Sequence, residues 1–167
     1  MLPYLEQKEL FAQFHLDEPW DSPHNRQLIE RRPACYASPG RTLPPGLTPW
    51  LAIVGRHAVV GDPFLCDKKW SLEGIRDGMI ADPRDATGLL LEADDASLVI
   101  WTKPDDYETD RKSLRENFYW RTAGCILAFA DGHVARTPHD TPDAKLQAMF
   151  TRSGQEEVAG KILDPEW

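Results

Sequence analysis

The sequence predicts an α+β domain in which an antiparallel sheet is combined with short helices and long loops. Three observations support this fold class. Segments with strand character outnumber segments with helical character, the helical segments are short, and no strand–helix–strand alternation recurs along the chain. The 167 residues suffice for one hydrophobic core, so we expect a single domain over residues 1–167.

The strands are predicted from apolar runs. Residues 88–93 form a strongly apolar run and are expected to be a central strand. Residues 125–130 and 133–136 flank Asp131-Gly132, a pair that favours a tight hairpin turn because glycine tolerates positive φ. Further strand candidates are residues 50–54, 57–60 and 97–101.

Three helices are predicted. Residues 2–14 place Leu5, Leu10, Phe11 and Phe14 near one face, with Pro3 in the first turn. A second short helix is expected from Ser22 to residue 30, and a third over residues 143–151 with Leu146, Met149 and Phe150 inward. Residues 71–78 suggest a single helical turn, the proline-rich segment 33–49 a loop, and the polar segment 102–118 a loop or an exposed helix.

Composition excludes several function classes. The net charge is −8 and no stripe of Lys or Arg occurs, so we expect no nucleic-acid partner. No run approaches the roughly 18 apolar residues that span a bilayer, and no signal peptide precedes the domain. Taken alone, these features predict a soluble, cytoplasmic chain.

The three cysteines carry no recognisable chemistry. Cys35, Cys66 and Cys125 form no CxxC pair, which argues against zinc-ribbon and thioredoxin-like sites. We expect them to be small buried or half-buried residues. Whether two of them form one disulfide is a question that the sequence leaves open. The sequence also lacks a Gly-x-Ser-x-Gly nucleophile motif and a glycine-rich phosphate loop, so we expect no enzyme activity.

A ligand site is predicted from acidic residues and tryptophan in loops. Carboxylates gathered from loops are the ligands that calcium prefers, and exposed tryptophan favours a carbohydrate-type surface. The candidate residues are Glu92, Trp101, Asp105, Asp106, Asp131 and His133. We nevertheless favour solvated loop acids and core-packed tryptophan, and expect no cofactor; calcium is the one cofactor that the ligand-site alternative would take.

Glu92 and the histidines have alternatives of their own. Glu92 follows an apolar strand, and a buried carboxylate must be paired, either with a ligand or in a structural ion pair with an arginine or Lys103. We favour the ion pair. The histidines at 15, 24, 57, 133 and 139 show no HxH or HxxxH spacing that supports zinc, and His133 is expected to belong to the hairpin.

Several segments, taken in order, resemble one family. They are residues 2–7, residues 17–25, Asp77-Gly78, the strand ending at Glu92, residues 101–106, residues 129–134 and residues 149–154. The chain is similar over nearly its whole length to the planctomycete group known as domain of unknown function 1559, also described as a solute-binding-protein family. Its members begin with a prepilin-type helix and end in a segment with a His, nine residues and Asp-Gly.

The resemblance implies a pilin-like or pseudopilin-like globular domain whose N-terminal membrane helix is absent here. It implies an envelope or extracellular location, with membrane contact only through that helix. It also implies that local helices or a second copy cover the sheet face on which the helix would pack. The chain departs from the family pattern at Arg121, which occupies the position of the family His, and at Ala37-Ser38-Pro39, where Cys-Pro-Ser is common.

Two functional hypotheses follow. The first is a non-catalytic, surface-associated structural or interaction domain that binds protein partners or itself. The second is an extracellular ligand-binding module for a small molecule, a carbohydrate or calcium.

Overall fold

The computed structural model describes residues 1–55, 57–60, 77–109 and 114–154. These residues form helices α1 (Lys8–Phe11) and α2 (Asp143–Met149), several 3-10 turns and seven strands. The strands are β1 (Leu47–Thr48), β2 (Trp50–Val54), β3 (Gly88–Glu92), β4 (Val99–Ile100), β5 (Tyr107–Glu108), β6 (Cys125–Phe129) and β7 (Val134–Thr137).

Five of the strands form one sheet in the order β5-β2-β3-β6-β7. Neighbours pair antiparallel except β2 and β5, which pair parallel through Ile53 and Tyr107. β1 and β4 form a separate two-stranded sheet. The short helices and mainly antiparallel sheet confirm the α+β class, and β3 occupies the predicted central position.

The inner face of the sheet carries the hydrophobic core. Leu51, Leu91, Leu127 and Ala135 lie directly across four neighbouring strands, and all four are buried. α2 packs Leu146, Met149 and Phe150 into the same cluster, together with Tyr107 and Phe118. Burying a side chain of this size contributes roughly 1.5–3 kcal/mol, so this face supplies most of the driving force for folding.

The outer face carries a second apolar row. Ala52, Leu90, Ala128 and Val134 are cross-strand partners one position along from the core row, so the strand alternation turns them to the opposite side. Three of them are half-buried and Val134 is 37% exposed. We call these four residues the outer row. They show that one face of the sheet is only partly covered.

The proline-rich segment covers one end of that outer face. Trp50 and Glu92 form the neighbouring cross-strand pair, and the Trp50 indole Nε1 donates a hydrogen bond to the Ala37 carbonyl at 3.2 Å. The loop predicted over residues 33–49 is present, except that it contains a 3-10 turn at Ala34–Tyr36 and ends in β1.

The predicted helix over residues 2–14 is wrong as a continuous element. The chain forms a 3-10 turn at Leu2–Leu5 and then α1, because Glu6 adopts a left-handed conformation with φ 58° between them. A left-handed residue ends a helix, and only the position of Pro3 in the first turn is as expected. Of the apolar residues expected on one face of this segment, Leu10 is buried, whereas Phe11 and Phe14 are half-buried.

The other elements agree with prediction to different degrees. The hairpin β6–β7 around Asp131-Gly132 and the helix near residue 143 are confirmed. The second helix is a 3-10 helix, Asn25–Arg31, whose first backbone N–H donates to the Ser22 hydroxyl at 3.0 Å. Residues 57–60 contribute one isolated bridge, between Val54 and Val60. Residues 71–76 of the predicted turn 71–78 lie outside the described residues.

β5 was not predicted, because segment 102–118 has little apolar character and the strand is two residues long. Within the described residues, no helix is long and apolar enough to cross a membrane.

Candidate functional site: a buried carboxylate cluster and separate acidic loops

Glu92 is a fully buried charged side chain at the centre of the fold. It ends β3 and faces the outer side of the sheet, opposite Trp50. A carboxylate removed from water is strongly destabilising unless its oxygens are paired. Its partners therefore decide whether it is available for chemistry.

Three side chains surround the Glu92 carboxylate. Arg121 donates from Nε to Oε2 at 3.0 Å and from Nη2 to Oε1 at 2.9 Å, which is a bidentate pair. Arg41 donates from Nη1 to Oε1 at 3.0 Å. The Ser38 hydroxyl donates to the same oxygen. Both carboxylate oxygens thus accept hydrogen bonds within the protein, three at Oε1 and one at Oε2.

The two arginines are also held by other groups. Arg41 donates to the Ala93 carbonyl at 2.8 Å and to Asp95 at 2.6 Å. Its guanidinium lies 3.8 Å from the centre of the Tyr119 ring, a cation–π geometry. The formal charges of the two arginines are balanced only when Asp95, whose side chain is 80% exposed, is counted together with Glu92.

Arg121 links the cluster to the loop that covers it. Its Nη2 donates to the Ser38 hydroxyl at 2.7 Å and to the Pro39 carbonyl at 3.0 Å. We call Ser38, Arg41, Glu92 and Arg121 the Glu92 cluster. It fastens residues 38–41 to the central strand, which is what a structural ion pair does.

The cluster also determines the protonation state of Glu92. Burial by itself raises the pKa of the carboxyl, but the hydrogen bonds from Arg121, Ser38 and Arg41 outweigh burial and hold the pKa below its ordinary value. Glu92 is therefore a stable anion at neutral pH. A general acid needs the opposite shift, so this geometry does not favour acid catalysis.

The structural ion pair predicted for Glu92 is confirmed, with arginine rather than lysine as the partner. Lys103 lies elsewhere and pairs with Asp105 at 2.5 Å. The arginines are 51 and 29 residues away from Glu92 along the chain, so no local pattern identifies them.

Trp101 packs among aromatic residues. Its ring contacts Phe14 edge-on at 5.8 Å and Tyr36 at 5.2 Å, and its Nε1 donates to the Ile29 carbonyl at 2.7 Å. The residue joins the N-terminal segment to the β1–β4 sheet. It is half-buried, and its indole hydrogen is already used within the chain.

Asp105 and Asp106 lie immediately before β5 and have different surroundings. Asp105 is the surface partner of Lys103. Burial, with a smaller contribution from the Asp105 charge, raises the pKa of the half-buried Asp106, and a hydrogen bond from the Ala52 backbone opposes this shift. Asp106 positions the edge strand through that backbone bond.

Asp131 and His133 form a local pair on the β6–β7 turn. Asp131 accepts a hydrogen bond from the His133 backbone N–H at 3.0 Å, and the His133 Nδ1 lies 2.5 Å from the same carboxylate oxygen. The backbone bond, followed by the imidazole, holds the pKa of Asp131 below its usual range. His133 stacks on Phe129 at 4.5 Å, as expected for a hairpin residue.

The six candidate residues thus have separate partners: Glu92 with arginines, Trp101 with aromatic rings, Asp105 with Lys103, Asp106 with β2, and Asp131 with His133. In the described part of the chain, no group of three or more His, Cys, Asp or Glu side chains could hold a metal ion. A pocket is lined instead by residues that the sequence did not single out as a group, His57, Thr109, Leu114, Gln147, Phe150 and Thr151.

Two histidines come together without any sequence signal. The His15 and His24 rings stack with centroids 3.5 Å apart and planes within 3° of parallel. They are nine residues apart along the chain, and no HxH or HxxxH spacing marks them.

The cysteines differ from one another in their exposure. Cys35 is a free, exposed thiol, contrary to the expected burial, whereas Cys125 is free and buried. Burial raises the pKa of Cys125 to about 12, so this thiol is inert. Cys66 lies outside the described residues.

Comparison of the chain with protein-family models, with curated proteins and with solved structures finds no match.

Proposed function

We propose that this chain is a non-catalytic, pilin-like structural or interaction domain of the cell surface or envelope, which associates with other protein surfaces through the outer face of its sheet. The observation that carries the proposal is the outer row, an apolar strip across four strands that the described chain leaves partly exposed. The envelope location rests on the sequence resemblance.

The outer row suits a protein contact. Leu90 and Val134 project apolar side chains, while Ala52 and Ala128 are small enough for a partner to approach the backbone closely. Apolar surface that is contiguous across several strands favours association, since its burial removes it from water. A second copy of the chain, which is one of the two covers that the sequence resemblance implies, is the simplest occupant.

The polar groups favour a structural role over catalysis. The carboxylate buried deepest is neutralised by two arginines, and the Asp131–His133 and Lys103–Asp105 pairs use neighbouring residues as partners. Catalytic carboxylates and imidazoles usually face a cleft in which a substrate can reach them. No described contact brings the predicted ligand residues to one such cleft, so the ligand-binding hypothesis has no specific observation in its favour.

Self-association is tested by sedimentation equilibrium over a wide range of protein concentration. The unmodified chain should populate a dimer or larger species, and Leu90→Arg should shift it to monomer because a charge in the outer row cannot be buried without a partner. Leu16→Arg is the matched control, since Leu16 is 71% exposed on an N-terminal turn away from the sheet. Circular dichroism verifies that both variants are folded.

A chain that is monomeric at all concentrations, or an association that Leu90→Arg leaves unchanged, would contradict the proposed role of the outer row. Equal loss of association in both variants would also contradict it, because the effect would then follow from charge and not from position.

A further inference from the structure

The stacked histidines lie at the two ends of the turn formed by residues 15–24, which Asn25 also ties together. His15 follows Phe14, and His24 precedes the 3-10 helix Asn25–Arg31. Asn25, which is 2% exposed, binds the turn between them: its amide donates to the carbonyls of His15 at 2.9 Å and Pro19 at 3.0 Å. Its oxygen accepts from the His15 N–H at 3.0 Å.

The hydrogen bonds of the two rings identify their neutral tautomers. The His24 Nε2 lies 2.8 Å from the Gln13 carbonyl, and a carbonyl only accepts, so Nε2 carries the hydrogen. The His15 Nδ1 lies 2.8 Å from a Glu18 carboxylate oxygen and likewise donates. Each ring then has one nitrogen left, at which it can take up a second proton.

We propose that the His15–His24 pair is an acid-sensitive latch, which holds residues 13–25 closed at neutral pH and releases them when both rings are protonated. Histidine changes its charge between pH 5 and 8, so the device works in a physiological range. Two unit charges 3.5 Å apart repel enough, even in water, to shift an equilibrium by roughly fivefold to tenfold.

Glu18 can balance one of the two positive charges. The Glu18 carboxylate bonds the His15 ring and interacts electrostatically with both rings, so its single negative charge offsets the first proton and leaves the second unbalanced. The neighbouring described segments carry other charged groups, which are Lys8 and Glu9 on α1, Asp17 and Asp21 in the turn, and Arg26, Glu30 and Arg31 on the 3-10 helix. Arg31 bonds the Gln13 side chain, whose backbone carbonyl accepts from His24.

The sign of the pH dependence follows from proton uptake. Opening the turn separates the rings and so relieves the repulsion between two positive charges 3.5 Å apart. The closed population therefore falls as the pH falls through the histidine range. Release of the turn frees Phe14 from its edge-on contact with Trp101, so the Trp101 ring becomes more accessible to solvent in acid.

The hairpin provides an internal comparison. His133 also pairs through Nδ1 with a carboxylate and also stacks on a ring, but that ring is the neutral Phe129. Protonation of His133 places a cation beside an acid and over an aromatic face, which is favourable. The two sites differ chiefly in whether the stacking partner can become charged.

Amide hydrogen exchange tests the latch in the full chain, with rates corrected for the intrinsic effect of pH. Protection of residues 13–25 should fall about tenfold between pH 7.5 and pH 5.5, while residues 125–137 remain protected. His24→Phe and His15→Phe each remove one charge and keep a ring in the stack, so the loss in acid should disappear. His133→Phe, the matched control, should behave as the unmodified chain does.

Salt provides a second readout in the unmodified chain. If charge repulsion opens the turn, 0.5 M NaCl should reduce the loss of protection at pH 5.5, because the rings are partly exposed and screened. The proposal would be overturned if protection of residues 13–25 does not fall in acid. It would also be overturned if the fall is equally large in 0.5 M NaCl, or if it persists in both His→Phe variants. If a Phe substitution by itself opens the turn at pH 7.5, the salt dependence of protection in the unmodified chain becomes the test of the proposal.

Discussion

At the scale of single residues, Glu92 is the clearest case of a side chain whose partners fix its role. A buried ion pair adds little stability relative to an apolar replacement of the same shape, but removal of one partner leaves an uncompensated charge. The Arg41 side chain is 5% exposed and Glu92 is 0% exposed, so neither can regain water when its partner is lost.

Glu92→Gln should therefore destabilise the protein by about 3–5 kcal/mol, since it leaves Arg41 and Arg121 beside a neutral amide. Urea unfolding followed by circular dichroism measures the change. The matched control is Asp105→Asn, which breaks a pair whose side chains are 43% and 42% exposed and should cost less than about 1 kcal/mol. Equal losses in the two variants would contradict the structural role of the Glu92 cluster.

At the scale of elements, the turn that precedes β6 depends on one glycine. Gly124 exchanges two backbone hydrogen bonds with Arg121, at 2.9 and 3.1 Å, and adopts φ +113°. A Cβ at this position would run into the Thr137 carbonyl oxygen of β7. The turn thus sets both the start of β6 and the position of Arg121 in the Glu92 cluster.

Gly124→Ala should destabilise the protein by roughly 2 kcal/mol or more, because backbone strain of about 1–3 kcal/mol is combined with a collision that backbone atoms cannot avoid. Gly132→Ala is the control that separates the two effects. Gly132 has a similar φ of +93°, but a Cβ there would meet nothing within 4 Å. Thermal unfolding of both variants compares them, and a loss at Gly132 as large as that at Gly124 would contradict the collision.

The same elements show what local sequence can predict. β2, β3, β6, β7 and α2 could be predicted because their apolar periodicity, or an Asp-Gly turn, lies within each segment. β5 could not be predicted, since a two-residue strand has no periodicity of its own and exists only through its pairing with β2. The helix over 2–14 failed because apolar spacing does not reveal that Glu6 turns left-handed.

The candidate site could be predicted only in part, for a related reason. The position of Glu92 after an apolar strand indicated a buried, paired carboxylate, and this is found. Its partners come from segments brought together by the sheet and the covering loop, and the stack of His15 on His24 depends on the Asn25 turn. Neither arrangement has a spacing signature, because each is produced by tertiary contacts.

At the scale of the whole molecule, stability should depend on pH through its paired carboxylates. Glu92 is the buried one, and its pKa is lowered in the folded state by the Arg121, Ser38 and Arg41 hydrogen bonds, which outweigh burial. A carboxyl whose folded pKa is lowered contributes stability above its unfolded pKa, and this contribution is lost as the pH falls through the folded value. Asp106, with a raised pKa, acts in the opposite direction and is only half-buried.

We therefore expect the carboxylates to change global stability little between pH 7 and pH 5 and to lower it steeply below about pH 4.5, near the ordinary glutamate value. Urea midpoints of the unmodified chain and of Glu92→Gln, measured from pH 7 to pH 3, test this expectation. The difference between the two should be largest at neutral pH and should shrink in acid, because a protonated Glu92 resembles glutamine. A difference that stays constant from pH 7 to pH 3 would contradict the lowered pKa of Glu92.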